Sequence, residues 1–142
     1  MVAKKFEFLE HTADAKFLAY GKTLEEAFAN AAIATFEVMT ETKRIRPRIE
    51  KQIKVSAKKK ETLLYEFIEQ LLYFIDTEAF LLNKVKTLAI TKAKDIWTLR
   101  ATVVGDNAAQ YDVKTQIKAV TYNDMFIKED KNKVTIQVVL DI

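Results

Sequence analysis

Apolar residues recur every three or four positions in two stretches of the chain, and this period predicts two amphipathic helices. The first helix begins after Thr23, because Thr23 and Glu26 have the spacing of a capping box, and it ends near Met39. The second helix covers residues 64–75, where leucine, phenylalanine and isoleucine form a long apolar stripe. Between the helices, Pro47 cannot continue a helix and marks the clearest break in the pattern.

Elsewhere apolar and polar residues alternate, which is typical of strands that bury one face. Two short strands, near residues 6–9 and 15–20, flank a polar connector at residues 10–14, and a third strand covers residues 49–55. The pattern stays strand-like from Phe80 onward, with segments at residues 88–90, 97–104, 113–122 and 134–142. Turn-forming residues separate these segments at 94–95, 105–107 and 129–132.

Length and composition indicate one ordinary globular domain. The chain has 142 residues, enough for a single core, and we predict one α+β domain over residues 1–142. In it, two amphipathic helices pack on a mainly antiparallel β-sheet system. No apolar run approaches the roughly 18 residues of a membrane span, and the N-terminus does not resemble a secretory signal. Because cysteine is also absent, we expect a soluble cytoplasmic protein without a membrane partner.

The charge pattern does not by itself indicate a nucleic-acid binder, because the net charge is only +3. Basic residues are nevertheless concentrated between Lys43 and Lys60, with few acidic residues among them. This segment has two interpretations: a solvated loop and strand face, or a contact surface for RNA or an acidic partner. We therefore expect any contact with RNA to be indirect or weak.

Three places contain residues suited to chemistry, although glycine-rich phosphate loops are excluded by a total of two glycines. His11 lies three residues before Asp14 in the first connector, and Lys118 lies on the more polar face of a predicted strand. At the C-terminal end, the side chain of Asp141 is one residue from the α-carboxylate of Ile142. Each place also has a plain structural interpretation: a histidine in a turn, an exposed lysine, and a strand that ends the chain.

Six segments stand out in order along the chain: residues 8–14, 19–28, 64–67, 76–78, 118–122 and 138–142. Together they resemble the archease family from about residue 6 to the last residue. The chain departs from the family pattern at Asn123, where many relatives have a histidine, and it lacks the further histidine they often have within residues 111–115. This departure favours carboxylates and Lys118, rather than histidines, as the functional groups.

The resemblance implies an accessory protein, not an enzyme, that activates the GTP-dependent tRNA-splicing RNA ligase by promoting its guanylylation and multiple turnover. The family's functional positions fall on Asp14, Lys118 and Asp141, with the carboxylate of Ile142 joining a metal site and His11 close by. An all-oxygen set of this kind suits a hard divalent cation, and we predict calcium. Two alternatives stay open: a chaperone or specificity modulator of a tRNA methyltransferase, and a metal-dependent hydrolase of phosphate esters.

Overall fold

The computed structural model describes residues 4–10 and 14–142 of the chain. Within these two ranges the chain forms seven strands and two α-helices. In chain order they are β1 (Phe6–Leu9), β2 (Asp14–Gly21), α1 (Leu24–Glu37), β3 (Ile49–Ala57), α2 (Lys60–Glu78), β4 (Phe80–Ala93), β5 (Ile96–Asn107), β6 (Ala119–Asp130) and β7 (Lys133–Asp141). Short 3₁₀ turns cover Thr42–Arg44 and Ala108–Gln110.

The strands form two antiparallel sheets. The first sheet has the order β1-β2-β7-β6, so that its two central strands come from opposite ends of the sequence. The second sheet has the order β3-β5-β4. Two of the predicted turns are confirmed, since Ala93 pairs with Ile96 and Asp130 pairs with Lys133 across tight hairpins.

The two helices differ in how their ends are capped. Thr23 caps α1, because its side-chain oxygen accepts a hydrogen bond from the Glu26 N–H at 3.1 Å, as the sequence predicts. Helix α2 is longer than predicted and has no side-chain cap at Lys59; it is closed at its C-terminal end by Ala79, whose φ of 52° lies in the left-handed region. Neither helix in the described part of the chain has the length and apolarity needed to cross a membrane.

One cluster of buried side chains draws on both helices and both sheets. Helix α1 packs on β2 and β7 and also contacts β4, whereas α2 packs on β3, β5 and β6. The two helices meet through Phe28 and Phe67, whose rings stack with centroids 6.2 Å apart, and Phe17 and Phe80 complete the core from the sheets. The predicted α+β arrangement of two helices on antiparallel sheets is therefore confirmed.

The predicted strand at residues 113–122 is wrong in its position. Strand β6 begins at Ala119, and the preceding residues form no ladder. Instead they make isolated contacts: the Lys114 N–H donates to the Met39 carbonyl at 2.9 Å, near the end of α1. Within β6, Val120 is buried and Ala119 is exposed, whereas the alternation of the predicted strand assigns Val120 to the same polar face as Lys118. Lys118 accordingly precedes a strand rather than lying on its polar face.

The predicted turn at residues 105–107 is also wrong, because β5 continues through it to Asn107. Gly105 serves close packing instead of a turn. A Cβ atom placed there would lie 1.8 Å from the Leu81 carbonyl oxygen of the paired strand β4. Only a residue without a side chain fits this approach between two backbones.

We therefore predict that Gly105→Ala lowers the free energy of unfolding by about 3 kcal/mol or more, the upper end for overpacking, because the obstructing atom is backbone. Chemical denaturation measures the change. The matched control is Ala89→Ser, an exposed position of β4, which should stay within about 0.5 kcal/mol of wild type. Equal stabilities of the two variants would contradict this account of Gly105.

Candidate functional site

Asp14 and Asp141 lie directly opposite each other at one end of the ladder between β2 and β7. The next pair is Ala15 and Leu140, and Leu140 is fully buried. Because successive side chains alternate, the two aspartates lie on the outer face of the first sheet. Side chains of directly opposed residues point the same way, with Cβ atoms about 4.5–5.5 Å apart. Both carboxyl groups therefore lie at the same end of the sheet.

Strand β6 adds a third position to this row, because Ala119 lies opposite Asp141 on the other side of β7. Lys118 is exposed and donates from its backbone N–H to the Asp141 carbonyl oxygen at 2.7 Å. Ile142 follows Asp141 and is partly buried. The fold thus brings Asp14, Lys118, Asp141 and Ile142, which the sequence singles out, to one end of the first sheet.

The same face carries an ion pair that the sequence pattern does not reveal. Lys16 lies two residues after Asp14, and its Nζ atom is 3.6 Å from an Oδ2 of Asp124 on β6. The pair reaches across β7, where Val139 lies opposite Lys16 and is only 1% exposed. This cation and carboxylate extend the charged surface beside Asp14. His11, the other residue of the predicted cluster, lies outside the described residues.

Asp124 is positioned by an irregularity in β6, where residues 122–125 stand opposite a single residue of β7. Its φ of 53° is one that aspartate adopts more readily than most residues, and its carbonyl accepts a hydrogen bond from the Gln137 side chain at 2.7 Å. Asn123 is exposed in the same bulge. The only sequence signal for the bulge is this pair of turn-forming residues within an alternating segment.

The donor atoms at this sheet end fit a hard cation in type. Two carboxylates placed directly opposite in a ladder repel each other, and a cation that prefers oxygen ligands would remove that repulsion. Across residues 4–10 and 14–142, however, no three side chains of His, Cys, Asp or Glu are grouped so as to hold a metal ion. Two side-chain carboxylates therefore need further oxygen ligands, from the Ile142 carboxylate, from solvent or from a partner.

In a comparison with known proteins, residues 6–142 match the model of the Archease protein family (MTH1598/TM1083). The chain belongs to the archease family. Protein archease of Sulfolobus acidocaldarius is 38% identical over 140 residues, which cover 97% of this chain and 99% of that protein. Protein archease of Methanosarcina mazei is 36% identical over 141 residues, covering 98% of this chain and 97% of that protein.

Solved structures agree with this assignment. The solution structure of Methanobacterium thermoautotrophicum protein 1598 is 35% identical, has a TM-score of 0.84, and covers 97% of this chain and 99% of that chain. A crystal structure from Thermotoga maritima, described as an archease and possible chaperone, is similar with a TM-score of 0.61 over 94% of both chains. At 18% identity the second similarity shows the fold alone.

In this archease-family chain, a buried carboxylate fixes the segment that leads to Lys118. Asp106 is 5% exposed, and it accepts hydrogen bonds from the Tyr111 hydroxyl at 2.8 Å and from the Asn107 N–H at 2.9 Å. The Tyr111 hydrogen bond, followed by that from Asn107, holds the pKa of Asp106 below its ordinary value. Tyr111 thereby ties the start of residues 111–118 to the second sheet.

We predict that Tyr111→Phe raises the pKa of Asp106, because the variant loses the strongest donor to the charged carboxylate. The folded-state pKa lies below the unfolded value of about 3.8, so the associated stabilisation is present above that pH and is lost as the pH falls through the folded pKa. Carboxyl ¹³C NMR titration measures the pKa, and melting temperatures measured above pH 3.8 should be lower for the variant. Tyr73→Phe, at an exposed tyrosine, is the control; an unchanged Asp106 pKa in Tyr111→Phe would refute the assignment.

Proposed function

We propose that this chain is an accessory protein that activates the GTP-dependent tRNA-splicing RNA ligase by promoting its guanylylation and multiple turnover. Family membership supports the proposal, since the sequence resemblance implies this role. The single observation that carries it to particular residues is the pairing of Asp14 with Asp141, next to which the Lys118 backbone N–H donates to the Asp141 carbonyl. These three side chains form the ligase-contact cluster of the proposal.

The position of the ligase-contact cluster suits entry into a partner's pocket. Asp14 and Asp141 are held by a ladder at the end of the first sheet, so their backbone is fixed before a partner arrives. Ala119, next to Asp141 in the same row, is small and exposed, which leaves room for a partner's groups. The ammonium group of Lys118 can contact the phosphate oxygens of a nucleotide. Its positive charge also partly offsets the negative charges of Asp14 and Asp141. The cluster thus combines rigidity, access and both signs of charge.

A divalent cation, which we propose to be calcium, is the cofactor of this site. Asp14, Asp141 and the carboxylate of Ile142 would hold it, because all three supply the oxygen ligands that calcium prefers. When bound, calcium would offset the repulsion between the carboxylates. Calcium takes about six to eight oxygen ligands, so positions stay available for solvent or for a nucleotide of the ligase.

The first test is ligase guanylylation with limiting ligase, GTP and a divalent metal, in the presence of each variant. Asp14→Ala, Lys118→Ala and Asp141→Ala should each lower the stimulated rate by about 100-fold, the typical cost of losing a group that contacts the transition state. Their melting temperatures should stay close to that of wild type, because the positions are at a strand end or on the surface. Lys114→Ala, an exposed lysine in the segment before Lys118, is the matched control.

Several outcomes of that assay would count against the proposal. Full stimulation by all three variants would remove the ligase-contact cluster from the mechanism. Loss of activity that only follows loss of folded protein would reduce its residues to structural ones. Hydrolysis of a simple phosphodiester by the protein alone, abolished in Asp14→Ala, would instead favour a metal-dependent hydrolase.

The second test addresses the metal by titration calorimetry with calcium alone. Asp14→Asn and Asp141→Asn should each weaken calcium binding by about tenfold or more, because each removes a charged ligand from a small set. Residues added after Ile142 should also weaken binding, since they replace the α-carboxylate by an amide. Asp130→Asn, at the hairpin between β6 and β7, serves as control. Unchanged affinity in Asp14→Asn with a C-terminal extension would exclude this metal site.

A second candidate function is that of a chaperone or specificity modulator of a tRNA methyltransferase. It is favoured by exposed aromatic side chains, since Phe8, Tyr73, Tyr122 and Phe126 are 38–57% exposed. Size-exclusion chromatography with each purified enzyme distinguishes the two functions. Binding to the methyltransferase but not to the ligase would replace our first proposal by this one.

A further inference from the structure

Three arginines surround a surface cavity of about 400 Å³ at the far end of β5. The cavity, which we call the arginine pocket, is lined by Arg44, Arg46, Arg48, Asp106, Gln110 and Tyr111. It lies where the chain enters β3, because Ile49, the first residue of that strand, pairs with Gly105. The pocket is therefore built by the second sheet, whereas the ligase-contact cluster belongs to the first.

The loop that carries the arginines is fixed along its length. Ile45 is 2% exposed and anchors the loop in the core between two outward-facing arginines. The Arg46 N–H donates to the Tyr111 hydroxyl oxygen at 3.0 Å, and the Arg48 N–H donates to the Gly105 carbonyl at 2.8 Å. These contacts use backbone groups, so they hold the loop while leaving the guanidinium groups available.

The charges of the arginine pocket are only partly balanced. Arg48 lies with its Nε atom 3.8 Å from Asp106, and Arg44 pairs with exposed Glu41 at 2.8 Å. Arg46 forms no ion pair with a carboxylate in the described ranges, and it is exposed. Three guanidinium groups are thus balanced by only two carboxylates. The guanidinium of Arg46 is the one without an ion-pair partner among the described residues, and it lies at a cavity whose loop is held by backbone hydrogen bonds.

A second group of cations follows along the exposed face of β3. Lys54 lies directly opposite Arg100 of β5, and both side chains are exposed. Like charges directly opposite in a ladder lower stability, and an anion bound between them would reverse that effect. A strand rises about 3.3 Å per residue, so this pair lies roughly 20 Å beyond Arg48. Two separated cationic positions suit a polymer of phosphates better than a single free anion.

We propose that the arginine pocket binds a backbone phosphate of an RNA strand that continues toward Lys54 and Arg100. The planar guanidinium of Arg46 matches two phosphate oxygens at once, which an ammonium group does not. Asp106 and Tyr111 act as positioning residues, because they hold the loop without contacting the phosphate themselves. Each contact is with a phosphate and not with a base, so binding is weak, tolerant of sequence and sensitive to salt. The proposal is independent of ligase activation.

The test is fluorescence anisotropy of a short, labelled, single-stranded oligoribonucleotide titrated with the full chain at several KCl concentrations. We expect Arg46→Gln to weaken binding about tenfold and to reduce the slope of log affinity against log salt by about one. Arg46→Lys should restore the salt slope but not the full affinity, because lysine keeps the charge and loses the fork. Lys131→Gln, an exposed cation at the β6–β7 turn, should bind as wild type.

Competition with other anions identifies the ligand class. Inorganic phosphate and guanosine monophosphate should displace the oligoribonucleotide only at much higher concentration, because each fills one position. If guanosine monophosphate binds as tightly as the oligoribonucleotide, the pocket is a nucleotide site and the RNA assignment is wrong. If a polyglutamate peptide competes as well as RNA, the surface serves an acidic protein. Wild-type affinity in Arg46→Gln, with an unchanged melting temperature, would overturn the site itself.

Discussion

The antiparallel ladder between β2 and β7 is the pairing on which the rest of the structure depends. It runs from Asp14 opposite Asp141 to Gly21 opposite Val134, and it places strands from both ends of the sequence at the centre of the first sheet. Its register is set by the core, because Phe17 lies opposite Val138 and both are fully buried. A slip of one residue would turn these apolar side chains to the outer face and break the Asp14–Asp141 pair. The register that places Asp14 opposite Asp141 is therefore set by buried apolar pairs further along the ladder and not by the charged residues themselves.

The sequence predicts those elements whose signals are local. Thr23 and Glu26 are three residues apart, and the alternation of β7 is visible within a few positions, so the cap of α1 and the last strand follow from short-range rules. The errors concern partners that are distant in sequence. Nothing within residues 105–107 shows that Leu81 lies against Gly105, and nothing within 113–122 shows that its first half contacts the end of α1 instead of a strand.

The candidate site illustrates the same limit. Alternation along β7 places Asp141 on the polar face, but only the pairing with β2 places Asp14 opposite it, and these residues are far apart in the chain. From the sequence, Asp14 and Asp141 are linked only by the resemblance to the family, because no local pattern of residues shows that β2 pairs with β7. Lys16 and Asp124 were missed because their contact depends on the bulge in β6 and on strand order, neither of which has a periodic signal. Local chemistry thus identifies candidate residues, whereas long-range register decides which of them meet.

The segment of residues 111–118 connects the two proposed surfaces. Tyr111 lines the arginine pocket, and the Lys118 backbone N–H donates a hydrogen bond to the Asp141 carbonyl. Seven residues span at most about 25 Å even when fully extended. A standard protein interface contributes about 800 Å² per partner, which corresponds to a patch roughly 30 Å across. One partner that holds RNA can therefore reach both surfaces at once. The lining of the arginine pocket has three arginines and one carboxylate, Asp106, so an RNA strand held by that partner would lie at this end of the shared patch.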